Sequence, residues 1–295
     1  MKIILTGASG FLGKVIKDTL IEHDIISIAR SNADINIDLS AKIPVLPFSD
    51  MVIHAAGKAH IVPKTETEGR DFFNVNYQGT KNLLKAIEDS RLPKMFVFIS
   101  TVAVYGKETG VLINENTPLS AKDPYGLSKI AAEKLISDWC KNKKVICTIL
   151  RLPLIAGANP PGNLGSMIKG IRKGYYFNIA GGGAKKSIVL ARDVAQIIPK
   201  IAEIGGIYNL TDKYHPSFKE LSTKIASQMD KKQPINIPFF IAKIIALVGD
   251  RLGKSAPLNS NKLAKLTSNL TFDDTKASEI IGWEPTPVLE GFKII

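Results

Sequence analysis

The sequence predicts an α/β protein whose main domain is a doubly wound parallel sheet, followed by a smaller, mainly helical C-terminal lobe. Three apolar runs, residues 3–5, 51–54 and 95–99, lack polar alternation, which is typical of strands covered on both faces. A glycine-rich turn follows the first run and opens a helical pattern. From Ser217 onward the pattern is mostly helical, which predicts the separate lobe.

The composition indicates a soluble globular protein rather than a nucleic-acid-binding one. The 295 residues can bury a large core, with 45% hydrophobic and 22% charged residues. The net charge is +12, but the lysines are scattered, which favours a solvated basic surface over a nucleic-acid site. A basic surface would also suit a doubly phosphorylated substrate.

The cysteines and histidines predict neither disulfides nor a structural metal. Two cysteines, Cys140 and Cys147, give no disulfide framework and fit a reducing cytoplasm. The histidines are far apart in the sequence and show no metal-ligand spacing: His23, His54, His60 and His215. We therefore expect a cytoplasmic protein.

Residues 235–248 form the most apolar stretch of the later chain. The stretch contains Pro238 and Lys243 and is shorter than the ~20 apolar residues that cross a bilayer. A buried or interfacial helix is favoured, with a membrane-surface role as the alternative. The glycine turn interrupts the N-terminal apolar run too early for a signal peptide. We therefore expect no stable membrane insertion.

Gly7, Gly10 and Gly13 lie between the first strand and the first helix. The first glycine permits a tight turn, the second permits close approach of a pyrophosphate, and the third permits close packing of helix on strand. The free N–H groups of the helix N-terminus favour phosphate. This stretch predicts a dinucleotide site on a Rossmann-type sheet.

The end of the second predicted strand, residues 25–29, bears on the choice of cofactor. NAD-binding sheets carry an acidic residue there that holds the ribose, whereas an arginine accommodates the 2′-phosphate of NADP. This chain has Arg30 and Ser31 at that place. NADP(H) is therefore favoured, with NAD(H) as the alternative if the arginine only stacks on adenine.

Further strands and one long helix complete the predicted domain. A third strand is predicted at 35–39, and later strands at 145–150 and 206–209. Residues 67–90 read as one helix. After the strand 51–54, small residues would let a flat cofactor lie against the strand end: Ala55, Ala56 and Gly57, followed by Lys58.

Residues that can move a proton follow the strand 95–99. Ser100 and Thr101 come at its end, where ligands bind in open α/β sheets. Pro124 then opens a helix to about residue 140, on which Tyr125 and Lys129 are four apart and share one face. We expect the lysine to lower the pKa of the tyrosine from ~10, and Thr101 to hydrogen-bond the reacting oxygen.

These signals in this order resemble the short-chain dehydrogenase/reductase superfamily. The stretch 6–13, with the spacing Gly-x-x-Gly-x-x-Gly, is similar to its extended branch, the NAD-dependent epimerase/dehydratase family, and the resemblance covers nearly the whole chain. It implies catalysis by Thr101, Tyr125 and Lys129. It also adds cofactor-binding residues to the glycines and to residues 55–58: Phe11, Leu12, Asp38, Leu39, Asn76, Ser100 and Pro153. For Asn76, a structural role that supports the site through backbone contacts is the equal alternative.

The same resemblance implies a nucleotide-sugar substrate. Asn163 and Leu164 match a segment whose asparagine contacts the sugar-nucleotide diphosphate, although Asn163 could equally be the N-cap of the helix 164–171. Lys186 stands where the family has a phosphate-binding arginine; lysine keeps the charge but loses the bidentate fork. The predicted domains are residues 1–158 with 186–210, and 159–185 with 211–295.

The expected reaction is hydride transfer at C4 of a UDP-linked hexose or N-acetylhexosamine. Family dehydratases carry an Asp-Glu pair directly after the active-site threonine, whereas Val102 and Ala103 stand here, so dehydration is excluded. Arg30 favours a 4-ketoreductase. The alternatives are a 4-epimerase with tightly held NAD, a reductase of a non-nucleotide ketone, and a non-catalytic NAD(P) sensor. Family members often form homodimers, here through the helices 67–90 and 125–140.

Overall fold

A computed structural model of the protein describes residues 1–59, 63, 65–252, 256 and 258–294. Among the predicted positions named above, His60 lies outside the described residues. The strands are β1 (Lys2–Thr6), β2 (Asp24–Ala29), β3 (Ile35–Asn36), β4 (Met51–His54), β5 (Met95–Thr101), β6 (Gly110–Ile113), β7 (Ile146–Leu152), β8 (Leu154–Ala156), β9 (Asn178–Ile179), β10 (Ile188–Leu190), β11 (Gly206–Asn209), β12 (Asn236–Ile237) and β13 (Leu270–Phe272).

The α-helices alternate with these strands through residue 209 and dominate the remainder. They are α1 (Phe11–Thr19), α2 (Glu66–Phe73), α3 (Gly79–Glu88), α4 (Pro124–Lys143), α5 (Gly162–Arg172), α6 (Ala191–Ile204), α7 (Phe218–Gln228), α8 (Phe239–Leu252), α9 (Ser260–Thr267), α10 (Thr275–Ile281) and α11 (Val288–Gly291). A π-helical turn, Asn74–Gln78, joins α2 to α3, and a 3₁₀ turn, Val102–Tyr105, follows β5.

Seven strands form the main sheet in the order β11–β7–β5–β4–β1–β2–β3, and each neighbouring pair is parallel. The chain builds outward from β1 in one direction and then from β4 in the other, so the order reverses between these two strands. The predicted doubly wound parallel sheet is confirmed. Open sheets of this kind bind ligands beyond the carboxyl ends of the strands at such a reversal.

Apolar helix faces cover both sides of the sheet. Ile16 of α1 and Ile198 of α6 pack on one side, and Leu83 of α3 and Ile136 of α4 pack on the other. All four side chains are fully buried. Each contributes about 1.5–3 kcal/mol of hydrophobic stabilisation. Burial on both faces explains why these strands are continuous apolar runs in the sequence.

Two predicted elements have the wrong bounds, and one strand was missed. The third strand ends at Asn36 rather than at residue 39, because Asp38 accepts hydrogen bonds from Ser40 and turns the chain. The predicted helix 67–90 is interrupted by the π-helical turn at 74–78, which apolar periodicity does not reveal. Strand β6 was not predicted; it pairs only with β13, 159 residues away along the chain at Leu112 and Thr271.

Most of the remaining elements form the smaller lobe, whereas α10 packs into the core of the main sheet through Ala277 and Ile281. Helices α5, α7 and α11 surround a third apolar cluster that includes Leu164, Ile171 and Ile225. Three short parallel pairs accompany them: β8–β10, β9–β12 and β6–β13. This lobe is mainly helical, as expected from the sequence. The predicted division of the chain at residues 158, 186 and 210 stays a prediction.

Helix α8 has an unusual distribution of side chains. Its buried residues are small, namely Ala242, Ala246 and Gly249, and they face α9. Its large apolar residues are exposed, with Phe240 64% and Ile244 60% accessible. Of the two favoured interpretations, a buried or an interfacial helix, the buried one is therefore wrong. Within the part of the chain that the structure describes, every helix is too short or too polar to cross a membrane.

His54 makes stability depend on pH. It is fully buried between Thr6 Oγ1, 2.6 Å away, and Thr80 Oγ1, 2.9 Å away, and burial lowers its pKa from 6.5 to about 3. Between these two pH values the unfolded chain binds the extra proton and the folded chain does not. This residue should therefore lower the free energy of unfolding by about 2 kcal/mol between pH 7 and pH 5.

Urea unfolding of wild type and His54→Gln at pH 7 and pH 5 measures this contribution. The variant should be less stable at pH 7 but should lose less stability on acidification, because glutamine does not titrate. An equal loss in both proteins would contradict the assignment to His54.

Candidate active site

The glycine turn after β1 holds two close approaches that exclude side chains. Gly7 has φ +73°, and a Cβ there would lie 2.6 Å from Ala56 N; a Cβ on Gly13 would lie 2.1 Å from Gly7 O. Gly10 stands at the N-cap of α1 and has no side chain to cap the first N–H groups. Beyond Gly10 the bare helix end is therefore suited to phosphate oxygens.

Phe11 and Leu12 extend this turn on different sides. Leu12 is buried in the core against the sheet. The ring of Phe11 packs beside Gly157, just beyond the end of β8. Pro153 is half-buried and connects β7 to β8. The glycine turn and the end of β8 thus approach one another.

Arg30 and Ser31 are exposed at the carboxyl end of β2, as predicted. The carboxylate of Asp38 lies nearby: hydrogen bonds from Ser40 lower its pKa, and the charge of Arg30 lowers it further. Leu39 is buried under α3, so its side chain belongs to the core. Arg30 is therefore a positive group at the place where a ribose phosphate would lie.

The residues after β4 are fixed by Asn76, which lies in the π-helical turn and is 2% exposed. Its side chain accepts a hydrogen bond from Lys58 N at 2.7 Å and donates to Lys58 O at 3.1 Å. It also donates to Ser128 Oγ at 2.9 Å, and Ser128 donates to Tyr125 O at 2.7 Å. Asn76 therefore ties the segment 55–58 to the first turn of α4, and π turns often occur at functional sites.

Lys58 itself points towards α2. Its ammonium group forms an ion pair with Asp71 at 2.8 Å and lies 5.5 Å from the centre of the Phe72 ring. The small residues Ala55, Ala56 and Gly57 lead from β4 to this lysine. They leave the end of β4 accessible on the side of the glycine turn, with Ala55 and Gly57 partly exposed.

Thr101, Tyr125 and Lys129 are brought together as predicted. Thr101 ends β5, and its side chain lies close to the hydroxyl of Tyr125. Tyr125 lies in the first turn of α4, whose N-cap Asp123 accepts a hydrogen bond from Gly126 N at 3.0 Å. Lys129 follows one turn later and donates to Ile99 O at 2.7 Å. The group lies at the carboxyl ends of the central strands.

The expected effect of Lys129 on the tyrosine is wrong for this structure. Burial raises the pKa of Tyr125, and the hydrogen bond from Thr101 only partly opposes this. Burial also lowers the pKa of Lys129 to about 8, because the residue is only 5% exposed. Desolvation is the largest cause of the raised pKa of Tyr125, and the charge of Asp123 adds to it, which the spacing of Tyr125 and Lys129 alone could not show.

Ser100 belongs to a buried polar network behind the site. Its hydroxyl donates to Glu133 at 2.5 Å, and Arg151 forms a 2.7 Å ion pair with the same carboxylate. Arg151 also donates to Tyr105 Oη at 3.1 Å, and Tyr105 donates to Asn209 Oδ1 at 2.8 Å. All five residues are buried. The side chain of Ser100 is therefore engaged inside the protein.

Sequence reasoning did not identify Glu133 as part of this site. One signal was available: Glu133 follows Lys129 by four residues, so Tyr125, Lys129 and Glu133 share one face of α4. Its partner Arg151 lies on β7, and no local pattern links them. The pair connects α4 to the sheet directly beneath the candidate catalytic residues.

The candidate substrate residues lie in the smaller lobe. Asn163 is exposed in the first turn of α5, whose N-cap is Pro161, so the alternative of Asn163 as N-cap is wrong. The side chain of Leu164 is buried in the lobe core. Lys186 donates to Lys265 O at 3.0 Å and Ser268 O at 2.9 Å, which leaves one of its three N–H groups for a ligand.

A metal centre has no basis among the residues that the structure describes, where no group of three or more His, Cys, Asp or Glu side chains could hold an ion. The site's polar groups are instead the hydroxyls of Thr101 and Tyr125 and the ammonium of Lys129. Together they are suited to proton transfer at an oxygen atom.

Comparison with known proteins agrees with this geometry. The model of the NAD dependent epimerase/dehydratase family matches residues 3–210. The chain belongs to this family. The matched range contains the glycine turn, the candidate catalytic residues and Lys186. The resemblance inferred from the sequence motifs is therefore confirmed.

Similar proteins within the epimerase/dehydratase family match over nearly their whole length. A UDP-glucose 4-epimerase of Vibrio cholerae is 29% identical over 317 residues, covering 99% of this chain and 93% of its own. An N-acetyl-alpha-D-glucosaminyl-diphospho-ditrans,octacis-undecaprenol 4-epimerase of Escherichia coli O157:H7 is 26% identical, covering 93% of this chain and 88% of its own. A UDP-glucuronic acid 4-epimerase of Bacillus cereus, solved with UDP-glucuronic acid and NAD, shares the fold with a TM-score of 0.74, 21% identity and coverage of 98% and 95%.

Removing the charge of Glu133 should destabilise the fold strongly. Glu133→Gln leaves Arg151 as an unpaired buried charge, which typically costs about 3–5 kcal/mol of unfolding free energy. Urea unfolding measures the loss. The matched control is Asp89→Asn, which breaks the exposed ion pair with Lys85 and should cause no measurable change. An equal effect of the two variants would contradict the role of the buried pair.

Proposed function

We propose that this protein is a 4-epimerase of a UDP-linked hexose or N-acetylhexosamine. The observation that carries the proposal is the Tyr125 hydroxyl next to Thr101, with Lys129 one turn away, at the end of the strand beside the reversal of the strand order. This arrangement supplies a proton donor and acceptor for a carbinol oxygen. The full-length similarity to two 4-epimerases supports the choice of reaction.

The bare glycine turn fits a nicotinamide dinucleotide. Gly7 and Gly13 leave no room for side chains, and α1 begins with free N–H groups, so the pyrophosphate would lie at Gly10. The nicotinamide, when bound, supplies the acceptor and donor of the hydride at C4. Arg30 supports NADP(H), and NAD(H) is the alternative because Asp38 already lies near that arginine.

The chain's own residues would move the proton. In its phenolate form, Tyr125 accepts the proton of the sugar 4-hydroxyl while C4 is oxidised, and as the phenol it returns that proton when the 4-keto group is reduced on its opposite face. Thr101 holds the reacting oxygen by a hydrogen bond. Lys129, whose pKa is about 8, is mostly protonated at neutral pH and provides positive charge next to the forming phenolate.

The choice between epimerase and ketoreductase depends on two opposing observations. The full-length relatives support epimerisation, whereas Arg30 alone favours a reductase that exchanges NADPH. Val102 and Ala103 form the 3₁₀ turn after Thr101 and offer no acid–base pair for dehydration. We favour epimerisation because the similarity covers both lobes.

The diphosphate of the substrate would lie near Asn163 and Lys186. Asn163 is exposed on α5, and Lys186 has one N–H left after its two bonds to backbone carbonyls. A homodimer through α2, α3 and α4, and a cytoplasmic location, stay predictions.

A sugar diphosphate linked to a polyprenol is a second candidate substrate. The relative from Escherichia coli carries such a substrate in its name. The observation in this chain that favours it is the exposed apolar side of α8, next to the lobe that holds Lys186. A membrane-embedded lipid tail would need no pocket in the protein.

One assay tests the proposed reaction and its alternative. The protein is incubated with UDP-glucose or UDP-N-acetylglucosamine, and the C4 epimer is followed by proton NMR. In parallel, NADPH absorbance is followed with a UDP-4-keto-6-deoxy-N-acetylhexosamine. Epimer formation supports the proposal, stoichiometric loss of NADPH supports the ketoreductase, and inactivity in both rejects UDP-sugar chemistry at C4.

Tyr125→Phe should reduce turnover by about 10²–10⁴-fold, because it removes the group that transfers the proton. Cofactor binding should stay near the wild-type value. The matched control is Tyr175→Phe, at a residue that is 54% exposed outside the site. Unchanged turnover in Tyr125→Phe would remove this residue from the chemistry.

Arg30→Ala should weaken NADPH binding by about 10–100-fold while NADH binding changes little, because only the 2′-phosphate uses the arginine's charge. Fluorescence titration with both cofactors measures the two losses. Arg91→Ala serves as control, since Arg91 precedes β5 and so lies near the amino ends of the strands, away from the proposed cofactor site. An equal loss for both cofactors would contradict a 2′-phosphate site.

A further inference from the structure

The outer side of α8 is an apolar surface, which we name the α8 face. Phe240, Ile244, Val248 and Leu252 recur every four residues along it and are each more than half exposed. The other exposed apolar residues of the helix lie beside this row: Phe239, Ile241, Ile245 and Leu247. Contiguous exposed apolar surface of this kind marks an interaction site.

The way in which α8 packs on the protein fixes which of its sides is exposed. The helix docks on α9 through Ala242, Ala246 and Gly249, and a Cβ on Gly249 would lie only 1.9 Å from Leu258 O. Small residues therefore set the side that meets the protein. The large residues are left on the opposite side, where none of the described elements covers them.

The charges around the α8 face indicate what covers it. Residues 231–267 contain seven lysine and arginine residues and one acidic residue, Asp250. The exposed cations of this segment are Lys231, Lys232, Lys243, Arg251, Lys262 and Lys265. Asp250 accepts hydrogen bonds from Ser260, and Lys265 pairs with Glu108. On α8 itself, the exposed Lys243 and Arg251 follow Phe240 and Val248 by three residues and flank the apolar row. These two cations form the charged rim of the α8 face, because the one acidic residue of the helix, Asp250, is engaged with Ser260.

We propose that the α8 face docks the protein onto an anionic membrane surface. An apolar helix side with a basic rim binds in the interface plane, its side chains among the acyl chains and its lysines at anionic headgroups. The 14 residues of α8 span about 21 Å, too short to cross the ~30 Å hydrocarbon core. A second copy of the chain is a poorer occupant, because self-pairing would oppose two positive rims.

Docking would place the smaller lobe beside the membrane. Helix α9 packs against α8, and carbonyls at the end of α9 hold the ammonium of Lys186. The candidate diphosphate site is therefore directly linked to the membrane-facing helix pair. The docking itself does not depend on the proposed reaction; only its use for a lipid-linked sugar does.

Vesicle flotation of the full-length protein tests the proposal. Vesicles of phosphatidylcholine alone are compared with vesicles that also contain phosphatidylglycerol, at low and high salt. The protein should float with the phosphatidylglycerol vesicles at low salt and dissociate as salt rises. Phe240→Ser with Ile244→Ser should lower the partition coefficient at least about tenfold, since two apolar side chains no longer enter the lipid.

Three further variants test the charged contribution and the specificity of the apolar one. Lys243→Glu should lower binding to phosphatidylglycerol vesicles by about fivefold or more. The matched control is Ile21→Ser with Val45→Ser, at exposed apolar residues outside α8, which should float like wild type. Tyr125→Phe should also float like wild type, so failure of the proposed reaction would leave this result untouched.

Three outcomes would overturn the proposal. The first is the absence of flotation with either vesicle. The second is equal flotation of wild type and the Phe240→Ser, Ile244→Ser variant, with unchanged unfolding curves. The third is a wild-type dimer in sedimentation velocity that this variant converts to monomer without any vesicle binding, which would assign the α8 face to self-association.

Discussion

The parallel direction of seven strands is the constraint on which the rest of this structure depends. Parallel neighbours cannot be joined by a tight hairpin, so each connection must cross the sheet, mostly through a helix. All carboxyl ends then meet at one edge. For this reason residues that are spread over positions 7–153 gather at this edge: the turn at Gly7, the segment 55–58, Thr101 and Pro153.

Buried polar contacts fix the geometry of this edge. Asn76 lies in the π turn and spans the gap between β4 and α4 by bonding Lys58 and Ser128. On the other side, Glu133 and Arg151 connect α4 to β7. In a low-dielectric interior these bonds tolerate little displacement, since any lost partner leaves a costly unsatisfied group. The start of α4, which carries Tyr125, is therefore fixed by Asn76 through Ser128, and the helix is fixed two turns later by Glu133.

The smaller lobe follows different rules from the sheet. Its strands occur as isolated pairs of two to four residues, and its longest apolar helix turns its large side chains outward. The large side chains of α8 therefore add little to the protein core. The membrane-docking proposal gives them another role, because they would be buried in lipid instead of protein.

The sequence by itself determined the doubly wound sheet and most of the catalytic edge. Uninterrupted apolar runs required burial on both faces, and the glycine spacing required a close approach of β1 and α1. The four-residue separation of Tyr125 and Lys129 required a shared helix face. Each of these patterns involves residues that are close in the sequence, so it can be recognised without knowledge of the fold.

Only the tertiary structure decided what depends on distant partners. Burial, rather than the lysine, dominates the pKa of Tyr125, because desolvation depends on packing from several elements. The pairing of β6 with β13, the Glu133–Arg151 bond and the two carbonyls on Lys186 all join residues that no local pattern links. The outward face of α8 was likewise hidden, since an apolar helix in sequence is equally compatible with burial and exposure.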